Sequence, residues 1–485
     1  MAAAADRIDP HVWRISMVVI LGSIMSILDT TIVNVALETL GRDLHSTVSE
    51  IQWVVTGYML SLAAVIPVTG WAARRFGAKR VYVLSLILFT AGSALCGLAT
   101  STEQLVVFRV LQGVGGGMIL PIGQLMMADA AGPERMGRVM SIVAVPAMLA
   151  PILGPTIGGL ILDNASWEWI FYVNLPVGVI AVIAALRVLP SVKPEKTDPL
   201  DVRGLALMAT GLPLLTYGLA EIGVTGGVSS AKVWLPLLLG AGLIVTFVFH
   251  ALRVKFPLLD LRLYKRPTFA SASFAMFCLG AALFGSMILL PLYWQGIRHE
   301  SVVDTGLLTA PQGLGIALVM PLAGKLTDRL GGGPLALFGV IFTTITTIPF
   351  ALIGAHTSIE LLSVAMFLRG MGIGFAFMPA MAAAFASLER SELPHATPQL
   401  NVLQRVGGSI GTALLAVVLQ RAMVGAHTLS AAADAYGTAF LWSAGLSALA
   451  IIPCVILMRA ERAARREKGA QALADAETMA EAVAA

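Results

Sequence analysis

Two charged side chains stand inside runs that are otherwise apolar. Asp29 lies in the middle of the first run, Trp13 to Leu37, where Arg14 at the start is the other formal charge. Arg109 stands in Leu105-Val106-Val107-Phe108-Arg109-Val110-Leu111-Gln112-Gly113. A charge at membrane depth costs at least ~2.5–3.5 kcal/mol on insertion scales, so each of these residues is a candidate functional group. A carboxyl at low dielectric can take up a proton near neutral pH; ionised, it attracts a cation. One acid could therefore hold a proton and a cationic ligand in turn, each excluding the other. A nearby guanidinium favours the ionised acid and so tunes proton release.

The chain around them is that of a polytopic membrane protein. Of 485 residues, 57% are hydrophobic and 12% charged, and the mean hydropathy is +0.84; a soluble domain carries about 25% charged residues. The net charge of +4 does not point to nucleic acid, because the basic residues cluster in short connections between apolar segments. Cys96, Cys278 and Cys454 all lie in apolar runs and read as small hydrophobes, with no disulfide or metal spacing. Met1 to Pro10 is polar and leads directly into a segment long enough to span, so no cleavable signal is expected.

Apolar windows of ~20 residues give fourteen candidate spans. The first six fall near 13–37, 51–71, 81–100, 104–127, 138–162 and 168–189. Two follow near 204–223 and 233–252, and six more near 268–293, 304–324, 334–354, 359–385, 400–422 and 436–458. With the N-terminus in the cytoplasm, nearly all Lys and Arg fall on the inner side, including Arg74, Arg75, Lys79, Lys193, Lys196 and the run from Arg459 to Lys468. Arg42, Lys232, Arg298 and Arg421 fall outside, and Arg109 and Arg369 are read as lying within spans. An even span count returns the C-terminus to the cytoplasm.

The chain also repeats itself. Gly70-Trp71-Ala72-Ala73-Arg74-Arg75-Phe76-Gly77 recurs 254 residues later as Gly324-Lys325-Leu326-Thr327-Asp328-Arg329-Leu330-Gly331. Glu103, Arg109, Gly113 and Pro121 are echoed by Glu360, Arg369, Gly372 and Pro379. Two parallel six-helix halves with two helices between them follow: a bundle over 1–197, an insert over 198–262, a second bundle over 263–460 and a cytoplasmic tail over 461–485. Transporters built from such repeats bind substrate near the bilayer midplane, between the halves. The fold class expected is all-α and polytopic.

Several strings carry a family resemblance. They are Leu28-Asp29-Thr30-Thr31-Ile32-Val33-Asn34-Val35-Ala36-Leu37, the Arg109 segment, Ala150-Pro151-Ile152-Leu153-Gly154-Pro155-Thr156-Ile157-Gly158-Gly159, Trp167 to Pro176, and the two loop strings. In that order, over about residues 13–460, the chain resembles the major facilitator superfamily, and within it the fourteen-span drug:proton antiporters. The resemblance implies the major facilitator fold, with Asp29 in proton coupling, Arg109 facing the central cavity, and Asn34 near the same site. Glu38 stands where that family usually has Pro, and is placed at the outer surface. The fifth-span motif implies export, with Pro155 as a hinge and Gly154, Gly158 and Gly159 allowing close helix approach. The glycines from Gly113 to Gly117 lie in an apolar span with no strand before them, so they read as helix packing rather than as a phosphate loop.

The loop motif implies gating by Gly70, Arg74, Arg75, Gly77, Gly324, Asp328 and Arg329. Its acid is present as Asp328 but replaced by Arg74 in the first half; the expectation is a rebuilt latch in which Asp129 pairs with Arg75 or Lys79. Glu168 stands where the sixth-span motif usually has Arg. Cavity candidates by polarity are Thr56, Gln124, Gln295, Gln312 and Asn401. By capacity to stack on a drug they are Trp53, Tyr58, Phe284, Tyr293 and Trp294.

The functional expectation is an exporter in a bacterial inner membrane, exchanging external protons for an amphipathic cationic or neutral compound by alternating access. Export of a lipid, siderophore or self-made antibiotic is the nearest alternative. An importer or uniporter is disfavoured by the fifth-span motif. A membrane-embedded transferase would need a cluster of acids, histidines or metal ligands at one face, and the sequence has none. No enzyme activity or cofactor is expected, since the proton gradient supplies the driving force. The partners expected are membrane lipids, protons and the small-molecule cargo; a periplasmic adaptor is compatible with the sequence but not indicated by it.

Overall fold

At membrane depth no water is present to satisfy backbone N–H and C=O groups, so apolar segments of this length must form helices. The computed structural model describes the backbone of residues 9–132, 135–191, 199–225 and 227–466, and the side chains of all of these except 48–49, 143–152, 155 and 302. Lys193, Lys196, the expected boundary at 197 and the tail from 467 lie outside the described residues. Among the described residues every regular element is helical. The α-helices are α1 (Pro10–Asp43), α2 (Val48–Val65), α3 (Thr69–Phe76), α4 (Ala78–Gly97), α5 (Thr102–Ala131), α6 (Met136–Asn164), α7 (Trp169–Tyr172) and α8 (Asn174–Val188). Then come α9 (Val202–Thr225), α10 (Ala231–Arg253), α11 (Pro267–Met287), α12 (Leu289–Gly296), α13 (Val302–Leu330), α14 (Gly332–Ala351), α15 (Ile359–Ala386), α16 (Leu393–Met423) and α17 (Leu429–Leu449).

Thirteen helical stretches among the described residues are long and apolar enough to cross a membrane. The 29-residue α6 occupies the place of the expected fifth span, and part of its apolar stretch lies among the side chains outside the description. Several spans are built from two helices: α2 and α3 meet at a 3-10 turn, Ile66–Val68, that contains Pro67, and α7–α8 and α11–α12 are similarly paired. The turns between spans follow the sequence. Thr47 and Glu50 form a reciprocal cap on α2, and the Ser101 hydroxyl accepts from Gln104 N–H at the start of α5. Gly77 and Gly331, the last residues of the two loop strings, take φ of 87° and 101°. Side chains with a Cβ rarely adopt that left-handed region, so both repeats end on the same forced glycine turn.

The helix packing mirrors the repeat. In the first half α4 packs on α5, α2 on α5 and α1 on α6; in the second α14 and α13 pack on α15, and α11 on α16. A Cβ on Gly113 or Gly117 would meet backbone of α2 at 2.7–2.8 Å, and one on Gly115 would meet backbone of α4 at 2.6 Å. The glycine run therefore brings three helices together around Arg109, as close packing requires.

Two expectations are corrected. From their place between the halves in sequence, the helices of the insert are expected at the periphery, but α9 packs against both α2 and α16. Met208 and Leu212 of α9 share a cluster with Val402 and Val406 of α16 and with Val68 and Trp71 of the first half. By contrast α10 lies on α9 and leaves much of its apolar surface outward, including Leu235, Leu238 and Phe249. The thirteenth span was expected to begin near residue 400, but α16 starts at Leu393. Its first turns carry buried polar residues that donate to the backbone: the Thr397 hydroxyl to Leu393 O and Gln399 Nε2 to Asp260 O. A hydropathy count cannot credit polar groups whose partners come from elsewhere in the chain.

Candidate functional site

Asp29 and Arg109 meet. Both side chains are fully buried, and Arg109 Nη1 lies 2.6 Å from Asp29 Oδ2. The other carboxylate oxygen, Oδ1, accepts from Gln112 Nε2 at 2.9 Å and from Asn174 Nδ2 at 3.0 Å. Arg109 Nη1 also donates to Gln112 Oε1 at 2.8 Å, and its Nε donates to Val54 O at 3.2 Å. The guanidinium lies over the Tyr58 ring, 4.1 Å from its centroid. Asn174 is held in turn by Ser93, whose hydroxyl donates to Phe171 O. Five helices, α1, α2, α4, α5 and α8, thus converge on one carboxylate.

This arrangement follows from what burial demands. An ionised pair in an apolar interior is tolerated only where its lone pairs and N–H groups are also bonded. Both carboxylate oxygens are engaged, by three donors in all; Arg109 Nη2 is buried without a partner among the described residues. Gln112 and Asn174 were not identified as site residues from the sequence. Gln112 stands one helical turn beyond Arg109, on the same face, and Asn174 is a lone amide in an apolar string; those are the signals that could have found them.

Of the other coupling candidates, Asn34 and Glu38 are exposed toward the C-terminal end of α1 and make no hydrogen bond to Asp29 among the described residues. The cavity candidates divide. Tyr58 covers Arg109, and its hydroxyl lies 3.3 Å from that of Ser26. Gln124 and Asn401 join the halves: Asn401 Nδ2 donates to Gln124 Oε1 at 2.7 Å. Gln312 accepts from Arg369 Nη1 at 2.8 Å, Thr56 is half-buried and Gln295 exposed. The aromatic readings are mostly corrected. Trp53 stacks on Tyr217 of α9 with ring centroids 5.7 Å apart, so it belongs to the seam with the insert. Tyr293 and Trp294 are buried in an apolar cluster of the second half, where the Tyr293 hydroxyl donates to Gly354 O. Phe284 lies against Gly408. Tyr293 and Trp294 fill helix–helix space, because large aromatic area is most favourable when buried, whereas Phe284 stays exposed.

The loop strings form a seal at the Lys/Arg-rich face. Asp328 Oδ1 accepts from Gly137 N–H at 2.9 Å, at the start of α6, and Oδ2 lies 3.1 Å from Arg138 Nε. A carboxylate at a helix N-terminus is favoured by the helix dipole as well as by the pair. The expected partners of Asp129 are not found: its carboxylate faces Arg390, across the halves, at 3.8 Å. Lys79 instead donates to Leu186 O, and Arg75 is exposed, as is Arg329. Arg75 and Lys79 lie on the same half as Asp129, whereas Arg390 opens the turn before α16; the latch residue came from the other repeat. Both side chains of that pair are largely exposed, so it contributes at most about 1 kcal/mol. Gly154 packs hard on α1, where an added Cβ would meet Thr31 Oγ1 at 1.9 Å, while Gly158 and Gly159 have 3.3–3.4 Å to their nearest neighbours. The side chain of Pro155, the expected hinge, lies outside the described residues; its backbone is helical.

One prediction concerns Asp328. Asp328→Asn removes a partly buried charge from a helix N-terminus and should weaken the seal by about 1–2 kcal/mol. Alkylation of a cysteine placed at Ser141, which is buried beside Gly324, should then proceed about 5- to 30-fold faster, since a 1.4 kcal/mol shift is tenfold in an equilibrium. An unchanged rate would mean that Asp328 does not hold this face shut.

Comparison with known proteins agrees with this architecture. The family model described as Major Facilitator Superfamily matches residues 19–412. The multidrug resistance protein B homolog of Mycobacterium tuberculosis (strain ATCC 25618 / H37Rv) is 40% identical over 417 residues, covering 85% of this chain and 77% of that protein. The multidrug export protein EmrB of Haemophilus influenzae is 31% identical over 402 residues, covering 81% of this chain and 78% of that protein. Among solved structures, the human organic anion transporter MFSD10 superposes with a TM-score of 0.67 at 16% identity, covering 92% of this chain and all of that one. The proton:xylose symporter XylE gives 0.65 at 13% identity, covering 91% of this chain and 94% of that one; at such identities these two speak to the fold alone. With its helical repeats and a family match running from α1 into α16, the chain belongs to the major facilitator superfamily.

Proposed function

We propose that this protein exports amphipathic small molecules across a bacterial inner membrane by alternating access, in exchange for protons, with Asp29 as the exchanging acid. The observation that carries the reading is the fully buried Asp29–Arg109 pair. The names of its relatives, a multidrug resistance protein homolog and a multidrug export protein, support the cargo class. The Lys/Arg-rich face is taken as cytoplasmic, which puts both termini inside.

On that orientation the geometry describes a state closed to the cytoplasm. Polar links between α1–α8 and α11–α17 include Gly137 with Asp328, Arg138 with Asp328, Asp129 with Arg390, and Gln124 with Asn401. All lie in the basic half of the molecule. A proton arriving from the opposite face, past Glu38 and Asn34 on α1, would neutralise Asp29 and remove the charge that holds Arg109. The freed guanidinium then needs a new partner, and Arg109, Gln112 and Tyr58 move together because they share hydrogen bonds or ring contact. Re-forming the pair on the cytoplasmic-open side expels the proton. The membrane potential contributes ~2.3 kcal/mol per charge per 100 mV to such an exchange.

The test is proton release from purified protein on addition of a panel of lipophilic cations and neutral amphiphiles. Wild type should release protons with at least one compound, and Asp29→Asn with none. Release that persists in the variant would move the exchanging acid elsewhere, with Glu38 next.

A further inference from the structure

Four charged side chains lie deep inside spans: Asp29, Arg109, Arg369 and Arg405. The last falls inside the expected span at 400–422 but was not named among the intramembrane charges. One carboxylate thus stands against three guanidiniums. Asp29 is fully buried and already accepts from Arg109, Gln112 and Asn174, with its charge offset by Arg109, so it is not a free anion for a cationic ligand. Arg369 is also closed off. It is fully buried and held by neutral oxygens alone, donating to Thr347, Gln312 and Ser286.

Arg405 differs from all three. It is half-buried, and among the described residues its guanidinium has no hydrogen-bonding or ionic partner. The faces of α16 show where it points. A Cβ on Gly280 would meet Gln404 O, and one on Gly407 would meet Phe277 O, so this side is pressed on α11. Val402 and Val406 pack into the cluster with α9. The remaining stripe carries Asn401, which bonds across the halves to Gln124 of α5. Arg405 is one helical turn further along that stripe, and residues four apart share a face. Tyr58, the residue that covers Arg109, is near enough to Arg405 to influence it electrostatically. Arg405 therefore looks from the second half toward the Asp29 site, with its positive charge uncompensated.

We infer that Arg405 receives an acidic group of the cargo, a carboxylate, sulfonate or phosphate on an amphipathic body, in the space between the halves beside Tyr58. An unpaired guanidinium away from bulk water is costly unless an anion joins it, and its planar fork suits these oxyanions. A purely cationic cargo would face this charge with no free carboxylate to offset it. The inference rests on the export reading above and refines it: among the amphipathic compounds exported, those carrying an acid bind more tightly than their neutral counterparts.

The experiment uses full-length protein in phosphatidylcholine nanodiscs and two fluorescent probes of one shape, dansyl-leucine and its uncharged carboxamide. Wild type should bind the acid about 10-fold or more tightly than the amide, the size expected of a hydrogen bond to a charged group. Arg405→Gln should erase that preference while leaving amide affinity within about 2-fold, and Arg405→Lys should keep part of it, since Lys retains the charge without the fork. Retained amide binding shows that the variants fold. Equal affinities in wild type, a preference that survives Arg405→Gln, or no binding of either probe would overturn the inference. So would loss of the acid preference when phosphatidylglycerol is added to the nanodisc, which would assign Arg405 to a lipid headgroup. Failure here is separable from failure of the export reading, because proton release at Asp29 is tested with cations and neutral compounds that do not need Arg405.

Discussion

Asp29→Asn is expected to abolish proton-driven efflux, by on the order of 100-fold, and to destabilise the protein. Removing one partner of a buried ion pair leaves the other charged and uncompensated, at a cost of ~3–5 kcal/mol. Arg109 cannot relieve this by losing its proton, because a guanidinium stays charged in proteins. The geometry adds a second penalty. The carboxylate accepts from Arg109, Gln112 and Asn174, whereas an Asn side chain offers one acceptor oxygen and turns an NH₂ group toward a donor. Efflux from proteoliposomes under an imposed pH gradient, read beside a thermal midpoint, checks both parts. The double variant Asp29→Asn/Arg109→Gln separates them: with both charges gone, stability should largely return while coupled transport does not. Efflux in Asp29→Asn within about 3-fold of wild type, a shift of under 1 kcal/mol, would remove Asp29 from the coupling step.

Gly70→Ala should have an effect of similar size by a different route. An added Cβ at Gly70 would lie 1.8 Å from Pro394 O and 2.8 Å from Pro394 C. Those are backbone atoms at the start of α16, so α3 and α16 must separate. Overpacking of this kind costs about 1–3 kcal/mol or more, and here it falls on a contact between the halves rather than inside either one. Each half should fold, but the state closed at the basic face should be depleted about 10-fold or more. Transport should fall with it, and a cysteine at Ser141 should become reactive. Gly324→Ala probes the pseudo-equivalent crossing, where the new Cβ would meet Ser141 Oγ, Arg138 Cα and Gly137 O at 2.8–2.9 Å; the same direction of change is expected, and smaller. Gly445→Ala is the control, since nothing lies within 4 Å of its Cβ. Full transport in Gly70→Ala would mean that the crossing relaxes without opening the seal.

The two crossings show how the repeat in the sequence becomes a gate. Gly70 and Gly324 are 254 positions apart, and each presses on the first turns of a helix in the opposite half. The acid of the motif reaches across as well, but only from the second half, through Asp328. In the first half Arg74 stands at that position, and the cross-half acid is Asp129, paired weakly with Arg390. The seal is therefore asymmetric in strength although its crossings match. A gate with one firmer and one weaker side can begin to open at the weaker one.

Much of this molecule was determined by the sequence alone. Apolar runs long enough to cross a bilayer must be helical, because the backbone has no other partner there, and so the spans, their order and the repeat could be counted. Asp29 and Arg109 announced themselves for the same reason: a charge in such a run is too costly to be incidental. What the tertiary structure decided was partnership. Asp29 and Arg109 are 80 residues apart, Asp29 and Asn174 are 145 apart, and no spacing rule links residues on different helices. Asp129 met Arg390 rather than its neighbours in the chain, Trp53 met an insert helix, and Tyr293 and Trp294 went into packing. Arg405 fell inside an expected span, but which way it faces and what stands beside it could not be read from one helix. Burial is set by what the other helices bring, and that is decided only when they assemble.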